Sequence, residues 1–233
     1  KADQSVLRER APSHHLIRVL RSKPGAELLL FNGGGQECRA VYEQEERSLA
    51  RVRIIGCSSP RRESGLIIHL GQGVSRGERM DLVMQKSVEL GVQAITPLWT
   101  ARSQVQLTGK RLEKRLSHWR GIVTSACEQS GRVKLPTLHP CCKLKDWISA
   151  VDIPGTGLIL DPDASQSLKD IEPMAQGRVL IGPEGGFNGD EVEIAAEAGF
   201  QRVRLGPRVL RTETAALATL AAMQLLWGDL GQA

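Results

Sequence analysis

The chain has 233 residues, of which 41% are apolar, enough for two small domains or one large domain with real hydrophobic cores. Its net charge of +5, from 31 Lys and Arg against 26 Asp and Glu, permits a nucleic-acid partner without requiring one. Aromatic residues make up only 3% of the chain, which argues against an RNA-binding surface built from stacked aromatic rings.

The five cysteines are Cys38, Cys57, Cys127, Cys141 and Cys142. Their number is odd and no two of them form a CxxC pair, so neither a zinc site nor a disulfide framework is expected. A reducing cytosol is the expected location. No apolar stretch is long enough to span a bilayer, so no membrane partner is expected.

Short strands are predicted in the chain up to about residue 70. Residues 26–31 and 37–43 flank a glycine-rich turn, which is typical of a hairpin. Residues 49–56 and 65–71 are predicted as two further strands. A small β-barrel or sandwich is therefore expected over residues 1–70, and its arginines form either a solvated rim or a patch that faces RNA.

Helices and strands alternate after residue 70. Amphipathic helices are predicted at 78–91 and 108–131, and a final helix rich in alanine follows residue 211. The strands predicted between and after these helices are residues 92–99, 157–161, 178–182 and 200–206. This alternation indicates an α/β domain over residues 71–233 with a mainly parallel sheet.

Special residues follow three of these strands, in the segments DPDAS, GPEGGF and GPRVLRTET. Ligands of open α/β sheets bind beyond the carboxyl ends of the strands, so the three loops are expected to form one pocket. The GPEGGF loop fits neither the Walker pattern nor the dinucleotide-binding pattern, and Glu184 would repel a pyrophosphate. Its glycines would let main chain approach a planar ring, and Pro183 would stiffen the turn. The alternative is a tight turn without a ligand.

Arg208, Arg211 and Glu213 cluster at the start of the last helix, which Thr212 or Thr214 is predicted to cap. Two cations oppose the helix dipole there unless an anion is present, which favours a phosphate or carboxylate ligand. The alternative is an internal pair between Arg211 and Glu213. No set of nucleophile and base and no set of metal ligands is visible, which disfavours a hydrolase.

The segments LIGPEGGFNGDE (180–191) and LGPRVLRTETAAL (205–217), with HLGQGVSRGERMDLVMQKSVELGV (69–92) and ACEQSGR (126–132) upstream, carry a resemblance to a known family. Together they resemble the bacterial ribosomal RNA small-subunit methyltransferase E family, whose members are 16S rRNA uracil-N3 methyltransferases of the SPOUT superfamily. The resemblance extends from about His14 to the C-terminus.

The resemblance implies a PUA-like β-barrel that binds RNA, followed by an α/β SPOUT domain with a trefoil knot. It implies S-adenosylmethionine as the cofactor, no metal, and a homodimer. The partner would be 16S rRNA, within the 30S subunit. The residues expected to bind the cofactor are Leu160, Gly182, Pro183, Glu184, Gly185, Leu205, Gly206 and Leu210.

Methylation at N3 of uracil requires a base for the N3 proton and a cation for the charge that develops on O2 or O4. The candidate bases are Glu128 and Glu213, and the candidate cations are Arg132 and Arg211. Arg18, Arg21, Arg102 and Arg208 are expected to contact RNA. Two other functions remain open, a ribose 2′-O methyltransferase of the same superfamily and a non-catalytic assembly factor that binds rRNA.

Overall fold

A computed structural model of the chain describes residues 5–6, 10–104, 108–150 and 155–232, with residues 5–6 described by their backbone only. The chain forms two compact units, one ending at Arg62 and the other beginning at Glu63. Among the described helices, none has both the length and the apolar composition needed to cross a bilayer.

The first unit is built on an antiparallel four-stranded sheet. Its strands are β1 (Ser5–Val6), β2 (Glu27–Phe31), β3 (Glu37–Glu46) and β4 (Leu49–Ser58), in the order β1-β4-β3-β2. Helix α1 (Arg10–His14) continues into a π-helical turn (His15–Val19). The buried Ser13 hydroxyl accepts a hydrogen bond from the Ala50 amide at 3.0 Å, which fixes the helix against β4. Leu16 then packs on Tyr42 and Val52 in a small core.

Strands are confirmed where the sequence predicts them, at residues 26–31, 37–43, 49–56 and 65–71, but the last of them does not belong to this unit. Residues 67–73 form a strand of the second unit, so the units divide between Arg62 and Glu63 rather than near residue 70. All but the first residue of this strand are buried. Burial on both faces is typical of a central parallel strand, whereas a half-exposed barrel strand would alternate.

Cys38 and Cys57 form a disulfide, which corrects the expectation that the cysteines form none. The two residues are direct partners in the antiparallel pairing of β3 and β4. The pairing register of the two strands brings the cysteines together. Their separation of 19 residues along the chain does not by itself show that they pair. Cys127, Cys141 and Cys142 are free thiols.

The second unit contains a parallel eight-stranded sheet in the order β10-β12-β9-β11-β5-β6-β7, with β8 paired to β6. Its strands are β5 (Ile67–Gly73), β6 (Ala94–Trp99), β7 (Thr137–Leu138), β8 (Cys142–Lys143), β9 (Thr156–Leu160), β10 (Gln166–Ser167), β11 (Gln176–Ile181) and β12 (Gln201–Arg204). Its helices are α2 (Glu78–Glu89), α3 (Gly109–Ser130), α4 (Leu144–Ile148), a 3₁₀ turn (Leu168–Asp170), α5 (Gly189–Glu197) and α6 (Thr212–Trp227).

Both faces of this sheet are covered. One core contains Val179 with residues of α2, α3 and α6, and the other contains Leu180 with residues of α4 and α5. Successive strand residues point to opposite faces, so the neighbours Val179 and Leu180 join different cores. The expected α/β domain with a parallel sheet is confirmed, as are the helices predicted at 78–91 and 108–131. The trefoil knot stays a prediction.

His69 is a buried polar residue on β5, within the second core. Its Nε2 lies 2.7 Å from the Thr96 hydroxyl and accepts a hydrogen bond from Trp147 Nε1 at 3.3 Å. Burial, assisted by the nearby His139 and Arg178, lowers the pKa of His69 from 6.5 to about 4. The imidazole is therefore neutral in the folded protein at neutral pH.

This burial predicts a loss of stability in mild acid. An unfolded chain protonates this histidine below pH 6.5 and the folded chain only near pH 4, so unfolding takes up a proton between these values. We expect His69 to remove up to about 3 kcal/mol from the free energy of unfolding across that interval. Urea titrations at several pH values should show a shallower acid dependence for His69→Gln than for the wild type. Equal slopes would contradict the prediction.

Candidate active site

A cleft of about 340 Å³ lies at the carboxyl ends of β9, β11 and β12. This volume is within the range of sites for small ligands. The cleft is lined by residues 160–163, 181–187, 204–206 and 208–210, together with Arg102, Val192, Thr212 and Ala215. The three strand ends that the sequence singles out thus line a single cleft.

The GPEGGF loop packs tightly against the end of β5. A Cβ atom on Gly73 would lie 2.5 Å from Pro183 N and Cδ, and one on Gly182 would lie 3.0 Å from Gly186. The turn is closed by a hydrogen bond from Gly186 N to Pro183 O at 2.9 Å, and Gly186 has a φ of +68°. Glycine is therefore needed here for packing within the loop, in addition to any role toward a ligand.

Glu184 anchors the same loop to the residues that precede α2. Its Oε1 accepts hydrogen bonds from Arg76 N at 2.9 Å and Arg79 Nη1 at 3.0 Å. Burial acts to raise the pKa of this carboxyl, but the hydrogen bonds from Arg76 and Arg79 outweigh it and hold the pKa below its usual value. The carboxylate is thus ionised and engaged, and it serves as a tether between two loops.

Glu191 holds a second segment in place at the rim. It forms a capping box at the start of α5, in which Asn188 Oδ1 accepts from Glu191 N at 2.8 Å and Glu191 Oε2 accepts from Asn188 N at 3.0 Å. Its other oxygen accepts from Ala101 N at 2.7 Å. The adjacent Arg102 reaches over the loop and donates from Nη1 to Gly185 O at 2.9 Å. The buried carboxylate of Glu191 therefore fixes both the start of α5 and the backbone next to Arg102.

The start of α6 differs from the prediction. The N-cap is Arg211, which makes no capping hydrogen bond through its side chain, so the prediction of Thr212 or Thr214 as the cap is wrong. The Thr212 hydroxyl instead donates to Gly182 O at 2.6 Å, because α6 begins directly behind the GPEGGF loop. Glu213 is half-buried in the first turn, and its Oε2 is buried without a partner among the described residues.

The cleft carries charges of both signs. Arg102, Arg204 and Arg208 line it together with Asp161, Asp163 and Glu184. Asp161 is buried and accepts a hydrogen bond from Arg202 Nε at 2.7 Å. Within the described part of the chain, no group of three or more His, Cys, Asp or Glu side chains could hold a metal ion. The lining is suited to a polar organic ligand that has both apolar and charged parts.

Both units match families of known proteins. Residues 62–224 match the family of RNA methyltransferase domains, and residues 11–55 match the family of RNA methyltransferase PUA domains. A ribosomal RNA small subunit methyltransferase E from Buchnera aphidicola (subspecies Schizaphis graminum) is 34% identical, over 98% of this chain and 93% of its own.

The chain belongs to the ribosomal RNA small subunit methyltransferase E family. Another member, from Mycobacterium bovis, is 33% identical over 91% of this chain and 83% of its own. The crystal structure of a member of this family from Neisseria gonorrhoeae, bound to S-adenosyl methionine, superposes with a TM-score of 0.89 at 40% identity. It covers 99% of this chain and 95% of that one. The resemblance stated from the sequence motifs is thereby confirmed.

The structure brings together most of the residues that the motifs suggest for this family. All eight expected cofactor residues line the cleft: Leu160, Gly182, Pro183, Glu184, Gly185, Leu205, Gly206 and Leu210. Arg102 and Arg208, expected to contact RNA, line it as well. Their binding roles stay predictions. Asp161, Asp163 and Arg204 were not assigned from the sequence, although the DPDAS segment and the strand before GPRVLRTET point to them.

Other expected site residues lie elsewhere. Arg18 and Arg21 belong to the first unit, where Arg18 pairs with Glu45 at 2.8 Å. Arg211 is exposed at the start of α6, and Glu128 is exposed on α3. The residues that line the cleft include none of the four expected catalytic residues, Glu128, Arg132, Arg211 and Glu213. Thr212, which lies between the last two in the sequence, does line it.

Arg132 is buried, with 6% of its surface exposed, and its guanidinium is fully engaged. It donates to Glu63 Oε2 at 2.5 Å and to the carbonyl oxygens of Val88 and Val92 at 2.8 Å each. These carbonyls flank the end of α2, where a helix leaves acceptors without partners. Arg132 therefore stabilises the end of α2. Cys127, next to Glu128, is buried too, and burial raises the pKa of its thiol to about 11, which fits a core residue.

The close contact at Gly73 leads to a stability prediction. Gly73→Ala places a methyl group against Pro183, so we expect the free energy of unfolding to fall by about 1–3 kcal/mol. Gly121→Ala on α3 is the matched control, because nothing lies within 4 Å of its Cβ position. Alanine also favours the helix there, so the control should be unchanged or more stable. Urea titration measures both, and a Gly73→Ala variant as stable as the control would refute the contact.

Proposed function

We propose that this protein transfers a methyl group from S-adenosylmethionine to N3 of a specific uridine in 16S rRNA of the small ribosomal subunit. The observation that carries the proposal is the cleft at the three strand ends, in a chain whose relatives are named as methyltransferases of small-subunit ribosomal RNA. The N3 position rests on the resemblance of the motifs to the uracil-N3 enzymes.

The residues of the cleft fit the methyl donor. Ile181, Leu205, Leu210 and Ala215 provide an apolar lining for an adenine ring, and main chain at Gly182 and Gly206 offers close approach. The acidic side chains suit the hydroxyl, ammonium and sulfonium groups of the donor and disfavour a nucleotide phosphate. When bound, S-adenosylmethionine supplies an electrophilic methyl group on a sulfonium.

The chain's own residues then have two tasks at the uracil. N3 attacks the methyl carbon as the carbon–sulfur bond breaks, and the N3 proton must pass to a base. A guanidinium next to O2 or O4 stabilises the negative charge that develops as that proton leaves. Both groups must be near the cleft and free of competing partners.

Arg211 and Glu213 are the best candidates for these tasks. Arg211 is exposed, and no ion pair joins it to Glu213 in the described part of the chain. One carboxylate oxygen of Glu213 is buried without a partner there, so it can accept a proton. Glu128 and Arg132 are weaker candidates, because Arg132 already holds Glu63 and two carbonyl groups.

Binding of RNA is proposed for both units. The first unit matches a PUA domain of RNA methyltransferases, and Arg18 and Arg21 on it are suited to phosphate contacts. In the second unit, Arg102 and Arg208 stand at the cleft, where they would position the nucleotides around the target base. The 30S subunit is the proposed form of the substrate.

A homodimer in the cytosol is proposed as the working state. Leu225 and Leu230, in and after the last turn of α6, are 63% and 54% exposed, and exposed apolar side chains that cluster often mark an interface. The knot of the SPOUT superfamily would place α6 beside the cofactor. The location follows from the ribosomal substrate.

Mapping of modified uridines tests the proposed function. Ribosomal RNA from cells that lack the protein should lose one N3-methyluridine, and purified protein with S-adenosylmethionine should restore it on isolated 30S subunits. Nuclease digestion and mass spectrometry identify the product. A 2′-O-methylated nucleoside would favour the ribose methyltransferase, and binding to RNA without incorporation of methyl groups would favour an assembly factor.

A variant of Arg211 tests the catalytic assignment. Arg211→Ala should lower the rate of methylation by about 100-fold, as expected for loss of a cation that stabilises transition-state charge, with little change in affinity for S-adenosylmethionine. Arg120→Ala, an exposed arginine on α3 outside the cleft, is the matched control and should remain fully active. Near-normal turnover of a 30S substrate by Arg211→Ala would remove this residue from the mechanism.

A further inference from the structure

Gln72 is a fully buried polar side chain at the end of β5, next to the wall of the cleft. Its Nε2 lies 3.0 Å from Gly73 O and 3.0 Å from Thr212 Oγ1, and 3.4 Å from Gly182 O. The amide group is thus surrounded by oxygen acceptors, which fixes its orientation with the nitrogen toward Thr212.

Thr212 extends this contact to the cleft wall. Its hydroxyl accepts from Gln72 Nε2 and donates to Gly182 O at 2.6 Å. Gln72, Thr212 and Gly182 therefore form a continuous chain of hydrogen bonds. It connects β5, the start of α6 and the GPEGGF loop, which come from distant parts of the sequence.

The chain of hydrogen bonds determines what the wall offers to a ligand. The Gly182 carbonyl is bound to Thr212, and Pro183 has no N–H, so the peptide between them has no free donor and no unengaged carbonyl. The next carbonyl, of Pro183, accepts from Gly186 N at 2.9 Å. This stretch of wall is a peptide plane next to a proline ring, which is suited to the face of a planar heterocycle.

Packing alone does not account for Gln72. Its Oε1 is buried and has no hydrogen-bond partner among the described residues. A buried polar atom without a partner destabilises the folded state, whereas an apolar side chain of the same length would avoid that cost. Gln72 thus lowers the stability of the fold through its unpartnered oxygen, while its nitrogen holds Thr212 in place.

We propose that Gln72 and Thr212 are positioning residues, which hold the Gly182–Pro183 peptide flat against the adenosine part of the methyl donor. The proposal rests on the proposed function, because it assumes that S-adenosylmethionine occupies this cleft. Neither side chain needs to touch the donor. Loss of these hydrogen bonds would free the Gly182 carbonyl to rotate, which would place a polar atom in the wall of the cleft.

Calorimetric titration with S-adenosylmethionine tests the proposal. Thr212→Val keeps the shape of the side chain and removes the hydroxyl, so we expect binding to weaken about tenfold, as for loss of one buried hydrogen bond. Thr212→Ser keeps the hydroxyl and should bind as the wild type does. Thr219→Val is the matched control, because Thr219 is also buried on α6 but donates to Ala215 O within its own helix.

Gln72→Met separates positioning from stability. Its length matches glutamine and it removes the unpartnered oxygen, so its melting temperature should stay the same or rise while its affinity for S-adenosylmethionine falls. In steady-state assays, both Gln72→Met and Thr212→Val should raise KM for the donor with kcat little changed. The loss of affinity in the double variant should be smaller than the sum of the losses in the two single variants, because both residues act through the same chain of hydrogen bonds.

The outcomes separate this inference from the proposed function. A wild-type protein that does not bind S-adenosylmethionine would overturn the proposed function. A wild type that binds, with Thr212→Val and Gln72→Met binding equally well, would overturn only the positioning role. Losses of affinity that add fully in the double variant would show that the two side chains act separately, which also overturns it.

Discussion

The close approach of the end of β5 to the GPEGGF loop is the constraint on which the site depends. Gly73 has no room for a side chain against Pro183, so the loop can lie directly on the sheet. The parallel pairing of β5 with β11, which sets Gln72 opposite Ile181, brings the two segments to the same level. Once the loop lies there, Thr212 can reach Gly182, and α6 begins at the cleft. A wider gap at Gly73 would separate the loop, the helix and the third strand end from one another.

Two carboxylates, those of Glu184 and Glu191, hold the loops around this site in place. Glu184 binds the amide of Arg76 and the side chain of Arg79, and Glu191 binds the amides of Asn188 and Ala101. Hydrogen bonds between an ionised carboxylate and main-chain amides are stronger than neutral ones, so they fix loops that carry little apolar surface. Arg208 and Arg211 remain exposed at the mouth of the site, where a polyanionic substrate would meet them first.

The sequence predicted those parts of the fold that depend on residues close to one another along the chain. The helix from Glu78 to Glu89 and the strand from Gln176 to Ile181 follow from periodicity and from the residues that end them. The strand from Ile67 to Gly73 is predicted in the wrong unit, because an apolar sequence does not show which strands it will pair with. The disulfide between Cys38 and Cys57 and the tie between Arg132 and Glu63 could not be predicted for the same reason, since both depend on register or packing between distant segments.

The amino-acid sequence by itself determined the longer helices and strands, the three loops that form the cleft and, through the motifs, the family. These features are encoded by neighbours along the chain, whose backbone preferences and side-chain periodicity act locally. The short elements, such as α4 and β10, were not evident from the sequence. Only the tertiary structure decided which polar side chains are free for chemistry. Arg132 and Arg211 look alike in sequence, as arginines near acidic residues, but the first is enclosed by Glu63 and two carbonyl groups and the second faces solvent. The difference arises because burial and hydrogen-bond partners are set by segments that meet only after folding.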